Sequence, residues 1–456
     1  MAVHVTEAFL LCGGSSERLG FAKEMLRVDG APLAVAMVRK LQGLFDDVAV
    51  VSNRPAYLEH WLRVPVYCDE FPGLGPLAGI HAGLERSQCE RAFFLACDMP
   101  FVPDETIRRI AAAASDSRAP ATVVRTQRGL EPVCGVYSRS LLPMLRARLE
   151  ANQGLAPWDF LAEAGAEYVE LRGQEATAMR DIDTPADVGR LKALFGEVEP
   201  LPVRREQVTR LGGRPLTEDI VVEERPFALY VNGVHMVTIL CLPVALRELT
   251  TGFLAYMGLI ERCDDIKRME RDYEAGRIAV ELDADEGSLR KAVRLQISST
   301  CGAGVYGPAL PRLAEGAARD GFRVSAEHIL ELMRKLRKMA PVFASTGATH
   351  QAAFSDGRAV LHFYEDVGRH NAIDKVLGRC LIEGTDMSRG LLLATGRLNA
   401  EMVVKTLRHG IPVAVSRSAV TAHALKLAGG HGLTVVGFAR ARRLNVYTCP
   451  ERIIGG

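Results

Sequence analysis

The chain has 456 residues, 48% of them hydrophobic and 24% charged, which is longer than one hydrophobic core usually supports, so two or three globular domains are expected. Its 56 Lys and Arg against 55 Asp and Glu leave a formal net charge of +1. That balance gives no global electrostatic reason to expect nucleic acid or a membrane surface as a partner.

The N-terminus lacks the basic region and long apolar run of a signal peptide. The most apolar stretch, near Val237 to Leu246, is interrupted by Thr238 and Pro243 and is too short to span a bilayer. A cytoplasmic location is therefore expected, with no membrane and no nucleic acid among its partners. Ten cysteines occur with no Cys-x-x-Cys spacing, which argues against a zinc ribbon or a dithiol redox motif.

The first chemistry-bearing segment runs from Leu10 through Leu11, Cys12, Gly13 and Gly14 to Arg18 and Lys23, where an apolar strand meets glycines, hydroxyls and two cations. Glycines let the backbone approach phosphates and turn its N–H groups inward, and the cations supply the opposing charge. The spacing is not that of a Walker A loop, because Lys23 is followed by Glu24. For the glycines alone, a turn with scattered surface charge is an equal reading.

Strand-like runs alternate with helical patterns through about residue 195, which predicts a doubly wound, Rossmann-like parallel sheet with helices on both faces. The expected strands are Ala8–Cys12, Val48–Ser52, Val64–Cys68, Ala92–Cys97, Ala121–Arg125 and Cys134–Tyr137, with a helix over Pro32–Leu44. Ligands of such sheets gather at the C-terminal strand ends, where Asn53, Asp69 and Asp98 fall. Asp98 suits Mg²⁺, which takes one or two carboxylates plus phosphate oxygens, although capping of the following turn is an equal reading. Asp181 to Asp187 could add a second acidic group or start a helix at Thr184-Pro185.

Residues 196–206 carry prolines and charges without a period and read as a linker between domains at 1–195 and 207–456. In the second domain Cys301 stands among Ser298, Ser299, Thr300, Gly302, Gly304 and Gly307. An exposed cysteine in such a loop suits a nucleophile or sulfur carrier, or is an idle surface thiol.

Leu11-Cys12-Gly13-Gly14-x-Ser16-x-Arg18-Leu19-Gly20-x-x-Lys23, then Gly75-Pro76-Leu77-Ala78-Gly79, Asp98-Met99-Pro100-Phe101, Glu131-Pro132-Val133 and Asp181-Ile182-Asp183-Thr184-Pro185 resemble the molybdenum cofactor guanylyltransferases over about residues 5–195. The resemblance implies a GTP site at Leu11, Cys12, Gly13, Lys23, Asn53, Asp69 and Asp98, with Asp98 also the Mg²⁺ ligand. Cys12 and Leu19 stand where that family usually has Ala and Met. The implied reaction is attack of the terminal phosphate of molybdopterin on the α-phosphate of GTP, with Lys23 and Asp98 carrying the rate. A cytidylyltransferase or sugar-phosphate nucleotidyltransferase is the alternative.

Downstream, Gly252-Phe253-Leu254, the Cys301 loop, Thr346-Gly347-Ala348-Thr349-His350, Glu365-Asp366-Val367-Gly368-Arg369-His370-Asn371-Ala372-x-Asp374-Lys375, Gly396-Arg397-x-Asn399-x-Glu401 and Gly437-Phe438-Ala439-Arg440 resemble the FdhD family over about 207–456. The resemblance implies a cytidine-deaminase-like α/β fold, without the His-x-Glu and Pro-Cys-x-x-Cys of zinc deaminases. It further implies a sulfur carrier that takes a persulfide on Cys301 from a cysteine desulfurase. The sulfur passes to a molybdenum bis(molybdopterin guanine dinucleotide) cofactor for a formate dehydrogenase apoprotein. Phe438, Ala439, Arg440, Ala441, Arg442 and Arg443 match the cofactor-holding segment, and Glu365, Asp366, Arg369 and His370 are expected only as support for an adjacent pocket. A homodimer is the expected assembly. Where many members have a second cysteine this chain has Gly304, which leaves open a domain that binds the cofactor as a chaperone without sulfur chemistry. The two activities in one chain would raise the effective concentration of the second site for the first site's product.

Overall fold

The computed structural model describes residues 5–13, 22–53, 55–208, 218–284, 287, 289 and 321–455. The chain folds as two compact units, Met1–Glu199 and Pro200–Gly456. Among the described residues no helix is long and apolar enough to cross a membrane.

The first unit is built on β1 (Glu7–Cys12), β2 (Asp47–Ser52), β3 (Val66–Tyr67), β4 (Arg91–Ala96), β5 (Ala121–Thr126), β6 (Gly129–Ser138) and β7 (Glu167–Glu170). Their order in the sheet is β3-β2-β1-β4-β6-β5-β7. β1 lies parallel to both β2 and β4, with Phe9 opposite Ala49 on one side and Phe94 on the other. Between the strands run α1 (Leu33–Gln42), α2 (Pro76–Arg86) and α3 (Asp104–Asp116). The α/β architecture is the expected one, with a single reversal in it.

β6 runs antiparallel to both neighbours. Only Gln127 and Arg128 separate β5 from β6, and so short a turn can only fold the chain back, since a parallel return needs a crossover of a dozen residues or more. β3 is shorter than Val64–Cys68 because Pro65 cannot donate to the ladder; its carbonyl instead accepts from Val50 N at 2.9 Å. The core is aromatic. Phe9 and Phe94 stack with centroids 5.3 Å apart, and Tyr137 meets Phe94 edge-on at 5.7 Å.

Residues 196–206 are not a free tether. Asp29 N donates to Glu197 O and Glu199 N to Arg27 O, and the buried Arg27 guanidinium pairs with the Glu199 carboxylate at 2.6 Å. Further on, Val203–Gln207 pairs antiparallel with Glu218–Val222. The apolar Val198 and Val203 are what composition overlooked: Val198 bridges to Val28, and Val203 is buried.

Besides two short two-stranded pairings, the described residues of the second unit form two larger sheets. β8 (Arg225–Val231), β9 (Val234–Cys241), β10 (Ile266–Asp272) and β11 (Arg277–Leu282) are ordered β9-β8-β11-β10. β12 (His350–Ser355), β13 (Val360–Asp366), β14 (Leu391–Ala394), β15 (Val413–Ser416), β16 (Thr434–Arg440) and β17 (Arg443–Thr448) are ordered β13-β12-β14-β15-β16-β17, with β14, β15 and β16 mutually parallel. The helices that matter here are α4 (Leu246–Met257), α5 (Arg369–Ile382) and α6 (Ala400–Arg408). α4 and α5 cross at backbone contact through Gly252 and Gly378, which face the carbonyls of Asp374 and Glu248.

Candidate functional site

In the first unit, the C-terminal ends of β1, β2 and β4 open onto a cavity of about 620 Å³. It brings together Leu11, Cys12, Gly13, Lys23, Asn53, Asp69 and Asp98, all the described residues that the sequence nominated for the nucleotide. Gly14 and Arg18 lie outside the described residues. Gly13 lies close under Asn53, whose Nδ2 would stand 3.5 Å from a Cβ added there.

Lys23 is the electrostatic centre of this cavity. Its Nζ donates to Asp98 Oδ2 at 2.6 Å and to Asp183 Oδ1 at 2.7 Å. Partial burial would lower the lysine's pKa, but the two carboxylates outweigh it and raise it above its ordinary value. Asp181 lines the same cavity; desolvation and then Asp98 push its carboxyl up to about 6. Glu131 is pushed up to about 7, first by burial and then by Asp181 and Asp98. Among the described residues that line the cavity, carboxylates outnumber cations.

The two readings of the segment from Asp181 to Asp187 are both filled, by different residues. Thr184 and Asp187 form a capping box at the start of the helix Pro185–Phe195, while Asp181 lines the cavity and Asp183 accepts from Lys23. Ile182 N also donates to Asp98 O at 2.9 Å, so this segment is fastened directly to the loop two residues past β4.

Three contributors were not among the residues nominated for the nucleotide, although Gly75, Pro76 and Gly79 belong to a motif that carried the resemblance. Gly75, at φ +82°, and Pro76 line the cavity and open α2 there, so the positive end of the helix dipole lies beside the space; Gly followed by Pro at a helical run was the available signal. Gly79 also lines the wall, and a Cβ there would press on Leu11 at 3.2 Å. Lys40 on α1 donates to Pro100 O at 3.1 Å and to Val102 O, holding the loop that follows Asp98. Cys12 at the end of β1 and Cys97 just past β4 are buried and contact one another, and burial pushes both thiols up, so they behave as small apolar groups.

In the second unit, Cys301 and the surrounding loop lie outside the described residues. The Glu365–Lys375 motif is largely scaffold. Glu365 accepts from Val342 N, Phe343 N and Thr349 Oγ1, tying the helix Pro341–Thr346 to β13. Asp366 accepts from Lys375 Nζ at 2.6 Å, from Leu242 N and Gly368 N, and from Asn371 Nδ2, which joins the exit of β9 to α5. His370 Nε2 lies 3.3 Å from Glu401 Oε2 and 3.2 Å from Asn399 Nδ2; burial drives its pKa down to about 4.

Phe438–Arg443 forms the bulged end of the β16–β17 hairpin. Phe438 and Ala441 both adopt positive φ, at 51° and 55°, a conformation that non-glycine residues hold only under surrounding constraint. Phe438 N donates to Ser418 O, Ala439 is buried, and Arg440, Arg442 and Arg443 are exposed. Arg417, at the end of the neighbouring β15, has its pKa lowered by burial and then by the like charges of Arg337 and Arg440. Among the described residues no carboxylate pairs with Arg417, Arg440, Arg442 or Arg443, and the result is a basic patch at the strand ends.

A model of the FdhD/NarQ family matches residues 222–454, and a model of the MobA-like NTP transferase domain matches residues 8–168. A sulfur carrier protein FdhD of Shouchella clausii is 36% identical over 247 residues, 53% of this chain and 92% of the relative. The FdhD of Geobacillus kaustophilus is 38% identical over 242 residues, 52% of this chain and 92% of the relative. Among solved structures, molybdopterin-guanine dinucleotide biosynthesis protein A from Archaeoglobus fulgidus aligns at 22% identity and a TM-score of 0.37, covering 41% of this chain and 97% of that one.

Proposed function

This chain belongs to the FdhD/NarQ family and carries a MobA-like NTP transferase domain ahead of that module, and from this premise we propose a bifunctional maturation protein for a molybdenum cofactor. The first unit transfers the guanylyl group of GTP to molybdopterin. The second accepts sulfur from a cysteine desulfurase as a Cys301 persulfide and delivers it to the bis-guanylated cofactor of a formate dehydrogenase. The observation that supports the first half best is Lys23 held beside Asp98 at the mouth of a cavity that α2 enters by its N-terminus.

The donor set suits Mg²⁺. Asp98 and Asp181 are hard oxygen donors close enough for one to raise the pKa of the other, and a divalent cation would relieve that repulsion. No group of three or more His, Cys, Asp or Glu among the described residues is arranged to hold a metal unaided, so nucleotide oxygens would complete the shell. When bound, the ion supplies neutralisation of the charge that develops on departing pyrophosphate. The protein's residues do the rest. The α2 N-terminus and Gly13 would hold phosphates, Asn53 and Asp69 would contribute further to the nucleotide site, and Lys23 would stabilise the transferring phosphoryl. No general base is needed, because the attacking phosphate is already anionic.

In the second unit, Arg440, Arg442 and Arg443, with Arg417 beside them, suit the phosphates of the dinucleotide cofactor. Cys301 has no second cysteine at Gly304 to expel sulfide by forming an internal disulfide, so sulfur leaves by direct transfer to the metal or to an outside reductant. A homodimer is the assembly proposed.

Two measurements test this reading. Turnover with molybdopterin should be supported by GTP far better than by CTP, and equal rates would reassign the first unit to another nucleotidyl transfer. Incubation with a cysteine desulfurase and cysteine should add about 32 Da, one sulfur atom, to Cys301 and nothing to Cys301→Ala. Absence of the adduct with cofactor binding intact would make the second unit a chaperone.

A further inference from the structure

Asp183 is not among the residues that the nucleotide reading requires, yet it supplies one of the two carboxylates that hold Lys23. The contact is built into the backbone. Ile182 N is bonded to Asp98 O, Asp183 N and Thr184 N donate to Asp187 Oδ2 at 3.3 and 3.0 Å, and the capping box fixes the start of the following helix. The Asp183 carboxylate is therefore presented to Lys23 by a helix cap on one side and by the loop that follows β4 on the other.

We propose that Asp183 is a positioning residue that keeps the Lys23 ammonium aimed into the cavity when Asp98 is engaged elsewhere. This rests on reading the cavity as a Mg²⁺-nucleotide site. A lysine ammonium has three protons to give; here Asp98 takes one and Asp183 another, which leaves one for a phosphate oxygen. If Asp98 were the lysine's only partner, its turning toward a cation would release a flexible four-carbon stem to solvent. Asp183 removes that choice. It is poorly suited to touch the nucleotide itself, since a carboxylate facing a triphosphate repels it.

The test uses full-length protein and the variants Asp183→Asn, Asp183→Ala and Asp183→Glu. In ¹⁵N-lysine-labelled protein with Mg²⁺ present, the Lys23 ammonium signal, assigned by its absence in Lys23→Gln, should be protected from exchange. It should be lost in Asp183→Asn and Asp183→Ala, and at least partly recovered in Asp183→Glu. In turnover, kcat for guanylyl transfer should fall on the order of tenfold in Asp183→Asn, the worth of one charge-assisted hydrogen bond. The nucleotide KM should stay level or fall, because a negative charge has gone. A Lys23 signal equally protected without the Asp183 carboxylate, or an unchanged kcat, would overturn the proposal. If wild-type protein shows no nucleotidyl transfer at all, the reading of the cavity fails, while the ammonium signal still reports on Asp183.

Discussion

Gly252 on α4 faces the carbonyl oxygen of Asp374 on α5 so closely that a Cβ would stand 2.0 Å from it. Gly378 repeats the arrangement in the other direction, where an added Cβ would stand 1.9 Å from the Glu248 carbonyl oxygen. Both obstacles are backbone atoms, so no rotamer change relieves them. Gly252→Ala must push the helices apart, and with them the Asp366 and Asp374 networks that α5 carries. The expected cost is about 3 kcal/mol, at the upper end of overpacking penalties. Urea unfolding of the full chain, followed by the transition of the second unit, measures it; a loss under about 1 kcal/mol would mean that the helices separate freely.

Lys405 on α6 lies 2.5 and 2.6 Å from the two carboxylate oxygens of Asp374, with both side chains almost sealed, and its Nζ sits 4.3 Å over the Tyr256 ring. Removing one partner leaves a buried charge without its counter-ion. Lys405→Met is therefore expected to cost roughly 3–5 kcal/mol, whereas Lys405→Met combined with Asp374→Leu should recover much of that. A double-mutant cycle by denaturant unfolding reads both. Additive losses would show that the pair is not coupled.

The sequence made the first site legible because its chemistry falls at strand ends. A buried strand can be recognised from its apolar run, and whatever polar residue follows it is delivered to the same edge of the sheet, as Asn53, Asp69 and Asp98 are. What stayed hidden was long-range. Lys23 and Asp183 are far apart in the chain, and nothing local marks one as the other's partner. The reversal of β6 was hidden for another reason, since alternation of strands and helices does not report direction and the two-residue turn at Gln127 was read as part of a longer connection. In the second unit the motif at Glu365–Lys375 stood out as a dense polar run, and the structure explains the density as a set of ties between elements.

Lys40 reaches the carbonyls of Pro100 and Val102 from α1, with Asp104 3.6 Å away. Burial lowers its pKa despite Asp104, so the site holds this ammonium at some cost in exchange for fixing the loop. Lys40→Met keeps the apolar stem and removes only the donors. Two carbonyls then lose their partner, which should lower stability by about 1–2 kcal/mol. Because Asp98 begins that loop, nucleotidyl transfer should fall severalfold without loss of the Lys23 contacts. Full activity in a destabilised variant would confine Lys40 to a structural role.

Glu365 gives the second unit a pH dependence of definite sign. Burial pushes its carboxyl up to about 7, against the bonds from Thr349, Phe343 and Val342 and the charge of Lys375, which all pull it down. The folded state therefore holds a proton that the unfolded chain, at an ordinary glutamate value near 4.5, has already released. Its contribution to stability is fully present below about pH 4.5 and is lost as pH rises through 7, to a total on the order of 3 kcal/mol. His370 and His409, both driven down to about 4 by burial, act in the opposite direction on acidification. Their effect is common to wild type and Glu365→Gln, so it cancels when the two profiles are subtracted. The wild-type stability, measured by denaturant unfolding at pH 5 and pH 7.5, should gain on that of the variant at the lower pH; parallel profiles would show that Glu365 is ionised throughout and that its three donors outweigh burial.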